Sequence, residues 1–170
     1  DEDKMPNVAP DANLISQVGG EINLFLATNK NRNYGFHFKN EVIFTEVSGS
    51  QSDVFRIPTT FLNMRAYWQG SWFNHSIPVQ IGIDVHHKSA YYANAYDPVT
   101  QQFYLQNDEK IFEGYSYPAN LFWNMRIEKV FLFIKLTHMS QPNNGGYFVT
   151  PKYPGQQRAL DFGFKWLFFD

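Results

Sequence analysis

Hydrophobic and polar residues alternate with a period of two along most of the chain from Glu21 onward, and helical spacing is nearly absent. Bounded by clusters of Asn, Gly, Pro and Asp, this alternation predicts seven strands, over residues 21–28, 34–47, 60–73, 77–92, 119–127, 130–140 and 158–169. Residues 12–18, ANLISQV, carry a weaker pattern that supplies an eighth strand if the chain turns at Gly19-Gly20. In SIPVQIGIDVHHKSAYYANAYDP, residues 76–98, Val79, Ile81, Ile83 and Val85 fall in one phase, and Gln80, Gly82, Asp84 and His86 fall in the other.

Sorting every strand by phase gives an apolar row, from Ile22, Leu24 and Leu26 through Phe36 and Phe38 to Phe162, Phe164 and Trp166. The opposite row holds Lys39, Glu41, Arg65, Gln80, Asp84, His86, Asn124, Arg126, Glu128, Lys135, Asp161 and Lys165, together with His37, Asn63 and Tyr67. Alternation alone does not say which row faces inward. If the strands cross a bilayer, energy decides: Lys39, Arg65, Arg126, Lys135 and Lys165 turned to lipid would cost about 2–4 kcal/mol each near the midplane. The polar row is therefore expected to line a lumen and the apolar row to meet lipid.

The connections differ in length in a regular way. Residues 29–33, 74–76 and 128–129 make tight turns, whereas 48–59, 93–118 and 141–157 are long and rich in Gly, Pro, Ser, Gln and Tyr. Short turns on one rim and long loops on the other are what an up-and-down outer-membrane barrel shows. Trp72, Trp166 and Phe168 near the short turns, and Tyr91 and Tyr92 beside a long loop, are expected to form interfacial aromatic girdles.

Composition narrows the picture further. The 170 residues are 44% hydrophobic and 18% aromatic, and no apolar run is long enough for a membrane helix. A net charge of -2 leaves no basic stripe for nucleic acid. The absence of cysteine removes disulfides, thiolate zinc sites and thiol nucleophiles. The opening DEDKMPNVAPDANL has no signal-peptide pattern, so any export signal is expected to have been removed or to lie outside this chain.

Candidate chemistry is sparse. His86 and His87 are adjacent, so in a strand they point to opposite faces and do not chelate one ion together. Asp84, His86 and Ser89 lie close in sequence, but Ser89 falls off the face that the other two share, which disfavours a hydrolytic triad. No catalytic, cofactor or metal site is expected. The mixed-sign polar row fits two roles, a charged constriction that selects solutes or a paired network that holds a narrow barrel shut. Residues 93–118 carry six aromatic residues and the turn DPVT, and are expected to form an extended hairpin with Pro98 at a turn position.

From Tyr91 onward, YYANAYDPVTQQFYLQ, YSYPANLFWNMRIEKVFLFIKLTHM and YFVTPKYPGQQRALDFGFKWLFFD follow in an order that resembles the C-terminal part of the putative porin family of Bacteroidota outer membranes. The shared features are a YP before the strand at 120–127, and a second YP, Tyr153-Pro154, before a last strand with Arg158 and FGFKW. The motifs cover about the last 80 residues, and the earlier strands match by pattern. The resemblance implies an all-β, antiparallel up-and-down transmembrane β-barrel, with residues 21–170 as the C-terminal strands of a larger barrel and 1–20 as a loop or weak strand.

The function it implies is a non-enzymatic, porin-like passive diffusion channel for small hydrophilic solutes in the outer membrane of a Gram-negative bacterium. Its partners would be outer-membrane lipid and other outer-membrane proteins, with no nucleic acid. A non-conducting barrel subunit of a secretion or assembly complex, and a soluble ligand-binding barrel, are the alternatives.

Overall fold

Val, Ile, Phe, Trp and Tyr at every second position favour extended chain, because side chains that alternate faces pack along a pleated surface. The computed structural model describes residues 13–28, 34–50, 52–73, 76–111, 117–141 and 148–168. Four long strands come first, β1 (Leu14–Ala27), β2 (Gly35–Ser48), β3 (Thr60–Trp72) and β4 (Ile77–Lys88). Four short ones follow in the next connection, β5 (Tyr91–Tyr92), β6 (Ala95–Asp97), β7 (Gln102–Tyr104) and β8 (Lys110–Ile111). The chain then forms β9 (Ala119–Ile127), β10 (Val130–Thr137), the short β11 (Phe148–Thr150) and β12 (Tyr153–Pro154), and finally β13 (Ala159–Trp166).

The seven longer strands form one antiparallel sheet in the order β1-β2-β3-β4-β9-β10-β13. Every neighbour in that sheet is also the next long strand in sequence, so the sheet is a meander. Among the described residues β1 and β13 each pair on one side only, and the sheet does not close on itself.

Several of the expected strand limits are corrected: β10 ends at Thr137, before His138 at φ 53°, instead of at 140, and β13 ends at Trp166. Residues 12–18 and 21–28 are not separate strands: β1 runs unbroken from Leu14 to Ala27, with Gly19 opposite Ile43 and Gly20 opposite Val42. The ladder to β2 supplies a partner at every step, and neither glycine takes the positive φ of a turn. The strand expected over 77–92 ends at Lys88. Its partner β3 begins at Thr60, just after Pro58, which has no N–H to extend the ladder. Ser89 closes the edge there, its N–H donating to Thr60 O at 3.0 Å and its Oγ accepting from Thr60 N at 3.1 Å.

Turn lengths follow the expected division. Thr28 N donates to Tyr34 O at 3.0 Å across the β1–β2 turn, whose residues 29–33 lie outside the described ones. Phe73 at φ 52° starts the β3–β4 turn. Glu128 at φ 49° opens the two-residue β9–β10 turn, the left-handed residue coming first as in a type II′ hairpin. These three turns share one rim. The connections β2–β3, β4–β9 and β10–β13 share the other.

The loop rim is a built structure. The β4–β9 connection is an antiparallel excursion in which β5 pairs with β8 and β6 with β7. Pro98 stands in its tip turn as expected, and Asp97 caps that turn by accepting from Val99 N at 3.0 Å and from Thr100 Oγ1 at 2.9 Å. Gln106 fastens the base: its Nε2 donates to Ala93 O and Glu109 O, and its Oε1 accepts from Asp108 N and Glu109 N, all within 2.9 Å. Arg56 Nη2 donates to Asn107 Oδ1 at 2.8 Å, and the Tyr96 and Tyr153 rings meet edge-on at 5.6 Å. Those two contacts join all three long connections.

Candidate functional site

Cross-strand register decides which side chains share a face, and here it carries the polar row across the whole sheet. One rung runs Asn23, Lys39, Arg65, Asp84 and Asn120 over five strands. The next runs Phe25, His37, Tyr67, Gly82, Phe122, Lys135 and Asp161 over all seven. Towards the loop rim, Glu21, Glu41, Asn63 and His86 form a third, and towards the short turns Gln69, Gln80, Asn124, Phe133 and Gly163 form a fourth. Arg126 and Lys165 both pair with Phe131 near the short-turn rim.

Eleven of the twelve side chains expected on the polar face therefore lie on the same ladder face. Glu128 is placed differently. It sits in the turn beyond the ladder, where its carbonyl accepts from Arg126 Nε at 2.9 Å.

Arg65 and Asp84 are the centre of this face. Two parallel N–H groups of Arg65, Nε and Nη2, donate to Oδ1 and Oδ2 of Asp84, the second at 2.8 Å. The carboxylate is buried, with 6% of Asp84 exposed, while the guanidinium side chain remains 54% exposed and lies 5.2 Å over the Phe122 ring. Around it, Asn63 Nδ2 donates to Glu41 Oε2 at 2.9 Å, His86 Nδ1 lies 2.8 Å from Asn63 Oδ1, and Gln80 Nε2 donates to Gln69 Oε1 at 2.8 Å.

An aromatic row runs along the same face, joining His37 and Tyr67 of the polar phase to phenylalanines that the sequence pattern did not assign there. Phe25, His37 and Tyr67 stack in sequence at 4.4 and 4.6 Å, and Tyr67 reaches Phe122 at 6.4 Å across β4. Gly82 makes that approach possible, since a Cβ there would lie 2.4 Å from Tyr67 Cβ and 2.8 Å from Phe122 Cζ. Gly163 accommodates Phe133 in the same way, with a Cβ at 2.7 Å from its Cζ. The available signal was the phase itself: Phe25, Phe122, Phe131 and Phe133 are aromatic residues at polar-phase positions.

The apolar face is exposed, with Ile22, Leu26, Leu160, Phe162 and Phe164 each more than half accessible and Phe162 at 80%. Trp72 lies at the short-turn end of β3, 6.0 Å from the Trp123 ring, and Trp166 stacks on Phe168 at 4.8 Å at the same rim. Tyr91 and Tyr92 are placed off the wall strand, in the β5–β8 ladder of the loop rim. Burial pushes the Tyr91 phenol up, and Tyr92 packs under Lys110 Nζ at 5.1 Å.

His86 and His87 diverge. His86 meets Asn63 on the polar face, while His87 stacks on Tyr117 at 4.4 Å from the other. Ser89 Oγ is engaged by Thr59 and Thr60 at the strand edge, away from the face that carries Asp84 and His86.

A long antiparallel meander with one polar and one exposed apolar face, short turns on one rim and structured loops on the other, has the architecture of porin-type proteins. A family model described as "Putative porin" matches residues 1–170, and the chain belongs to that family. The match extends over the whole chain, including the N-terminal half that the YP and FGFKW motifs do not reach. No curated protein and no solved structure matches it.

Proposed function

We propose that the seven-stranded sheet is part of the wall of an outer-membrane β-barrel channel, with the polar face lining a water-filled lumen through which small hydrophilic solutes diffuse. The observation that carries this reading is the register. It keeps Lys39, Arg65, Asp84, Lys135 and Asp161 on one face of the sheet while Phe162, Phe164, Ile22 and Leu26 stand exposed on the other. Lipid is the surrounding that makes such an apolar face favourable, and hydrated solutes are what the opposite face is equipped to pass.

The buried polar side chains of the long strands, Thr45, Asp84, Asn120 and Thr137, all belong to the polar face. The open edges of β1 and β13 are covered in this reading by further strands that complete the barrel, since an unpaired strand edge is not tolerated in hydrocarbon. Transport is passive, without covalent chemistry, and the loop rim faces the cell exterior.

The test is single-channel recording in planar bilayers with the full-length protein purified in detergent. Stepwise conductance is expected. A protein that inserts but passes no current sinks the channel in favour of a scaffold, and one that stays monomeric in buffer without detergent sinks the membrane assignment.

A further inference from the structure

One concavity near the centre of the polar face is lined by three cationic side chains and a single carboxylate. Lys39, Arg65 and Lys135 border this space of about 400 Å3, together with Asp84, Tyr67 and Phe122. Asp84 is already committed to Arg65 through two hydrogen bonds. Glu41, two residues along from Lys39, is held by Asn63 Nδ2 at 2.9 Å. Asp161 stands opposite Lys135 in the ladder but does not border this concavity. Lys39 is the direct cross-strand partner of Arg65, an arrangement of like charges that destabilises a sheet unless something between them is negative.

Arg65 is prepared for that role. Its fork on Asp84 uses two of five N–H donors and fixes the plane of the guanidinium, and the half-exposed remainder presents a second edge to the concavity. Guanidinium edges match the spacing of carboxylate and phosphate oxygens, and flanking ammonium groups add charge without demanding a geometry. We propose that this concavity is an oxyanion-binding step in the channel, which makes the lumen selective for small anions of the carboxylate and phosphate type. This rests on the lumen assignment above for its transport consequence, but the binding itself does not.

Two measurements on the full-length protein keep those layers apart. Titration calorimetry of the detergent-solubilised protein with inorganic phosphate is expected to show binding that K39Q/K135Q weakens about tenfold. The urea midpoint of the variant is measured alongside, so that a loss of binding is told apart from a loss of the fold. Bilayer recording across a KCl gradient is expected to give an anion-selective reversal potential that moves towards cation preference in K39Q/K135Q. Absent phosphate binding, or binding that the variant leaves unchanged, overturns the site. Phosphate binding without any conductance upholds the site and overturns the channel. Conductance that is cation-selective in the unsubstituted protein overturns the proposed selectivity.

Discussion

Tyr67 and Phe122 belong to strands that do not touch, yet their rings approach to 6.4 Å over Gly82 of the strand between them. The missing side chain lets aromatic groups on either side cover the backbone, and the stack continues through His37 to Phe25. A side chain at Gly82 has no room, so Gly82→Val is expected to destabilise the sheet by about 1–3 kcal/mol, the range for overpacking. Gly20→Ala is the matched control, because a Cβ there meets nothing within 4 Å. Urea midpoints of the detergent-folded variants decide the matter, and equal midpoints for the two would refute the account.

The same row shows what alternation makes legible and what it hides. Period two locates strands reliably wherever one face is apolar throughout, and β2, β3 and β9 fall where the pattern places them. It fails at Gly19-Gly20, because glycine reads as a turn, while pairing with fourteen consecutive residues of β2 holds it extended. It also hides Phe25, Phe122, Phe131 and Phe133, since an aromatic residue between apolar neighbours looks like more of the same face. The Arg65–Asp84 fork was not legible at all. Phase puts both residues on the polar side, but only the register of β3 against β4 sets them opposite one another.

The fork itself is measurable. Removing the carboxylate leaves a guanidinium that is half exposed and able to rehydrate, so Asp84→Asn is expected to cost about 1–2 kcal/mol, less than a fully buried pair would. Arg65→Gln leaves Asp84 buried without its partner and is expected to cost at least as much. A double-mutant cycle on urea unfolding should give a favourable coupling between the two positions. Additive losses would mean that the hydrogen bonds contribute nothing beyond their surroundings.

Asp97 offers a pH test confined to the loop rim. Hydrogen bonds from Val99 N, and then from the Thr100 hydroxyl, hold its carboxyl below the usual aspartate range. A folded-state value that lies below the unfolded one contributes stability above the unfolded pKa, and that contribution is lost as pH falls through the folded one. The tip turn is therefore expected to be fully capped at neutral pH and to loosen below about pH 4. Amide exchange at Val99, measured against a reference amide in β6, should quicken there relative to the intrinsic rate. Asp97→Asn should abolish the pH dependence.

Gln106 is the fastening of the longest loop, with four hydrogen bonds between one amide and the backbone around it. Gln106→Ala is expected to free residues 93–111 without affecting the wall, because none of those bonds reaches a long strand. Limited proteolysis of the folded protein should cut this loop faster in the variant, while the urea midpoint of the sheet stays in place. A lowered midpoint would show that the loop rim supports the sheet.

The most direct test of sidedness compares two phenylalanines on β10 and β13. Phe162 lies opposite Ile134 on the apolar face and is 80% exposed, whereas Phe131 lies opposite Arg126 and Lys165 on the polar one. If the apolar face meets lipid, Phe162→Lys carries a charge towards the hydrocarbon and is expected to cost about 2–4 kcal/mol of folding in bilayers, the cost falling as the position approaches an interface. Phe131→Gln, on the polar face, is expected to lose only the 5.0 Å contact between its ring and Arg126. Folding yields into lipid vesicles across a urea series compare the two. A Phe162→Lys protein that folds as well as the unsubstituted one would mean that this position does not face hydrocarbon.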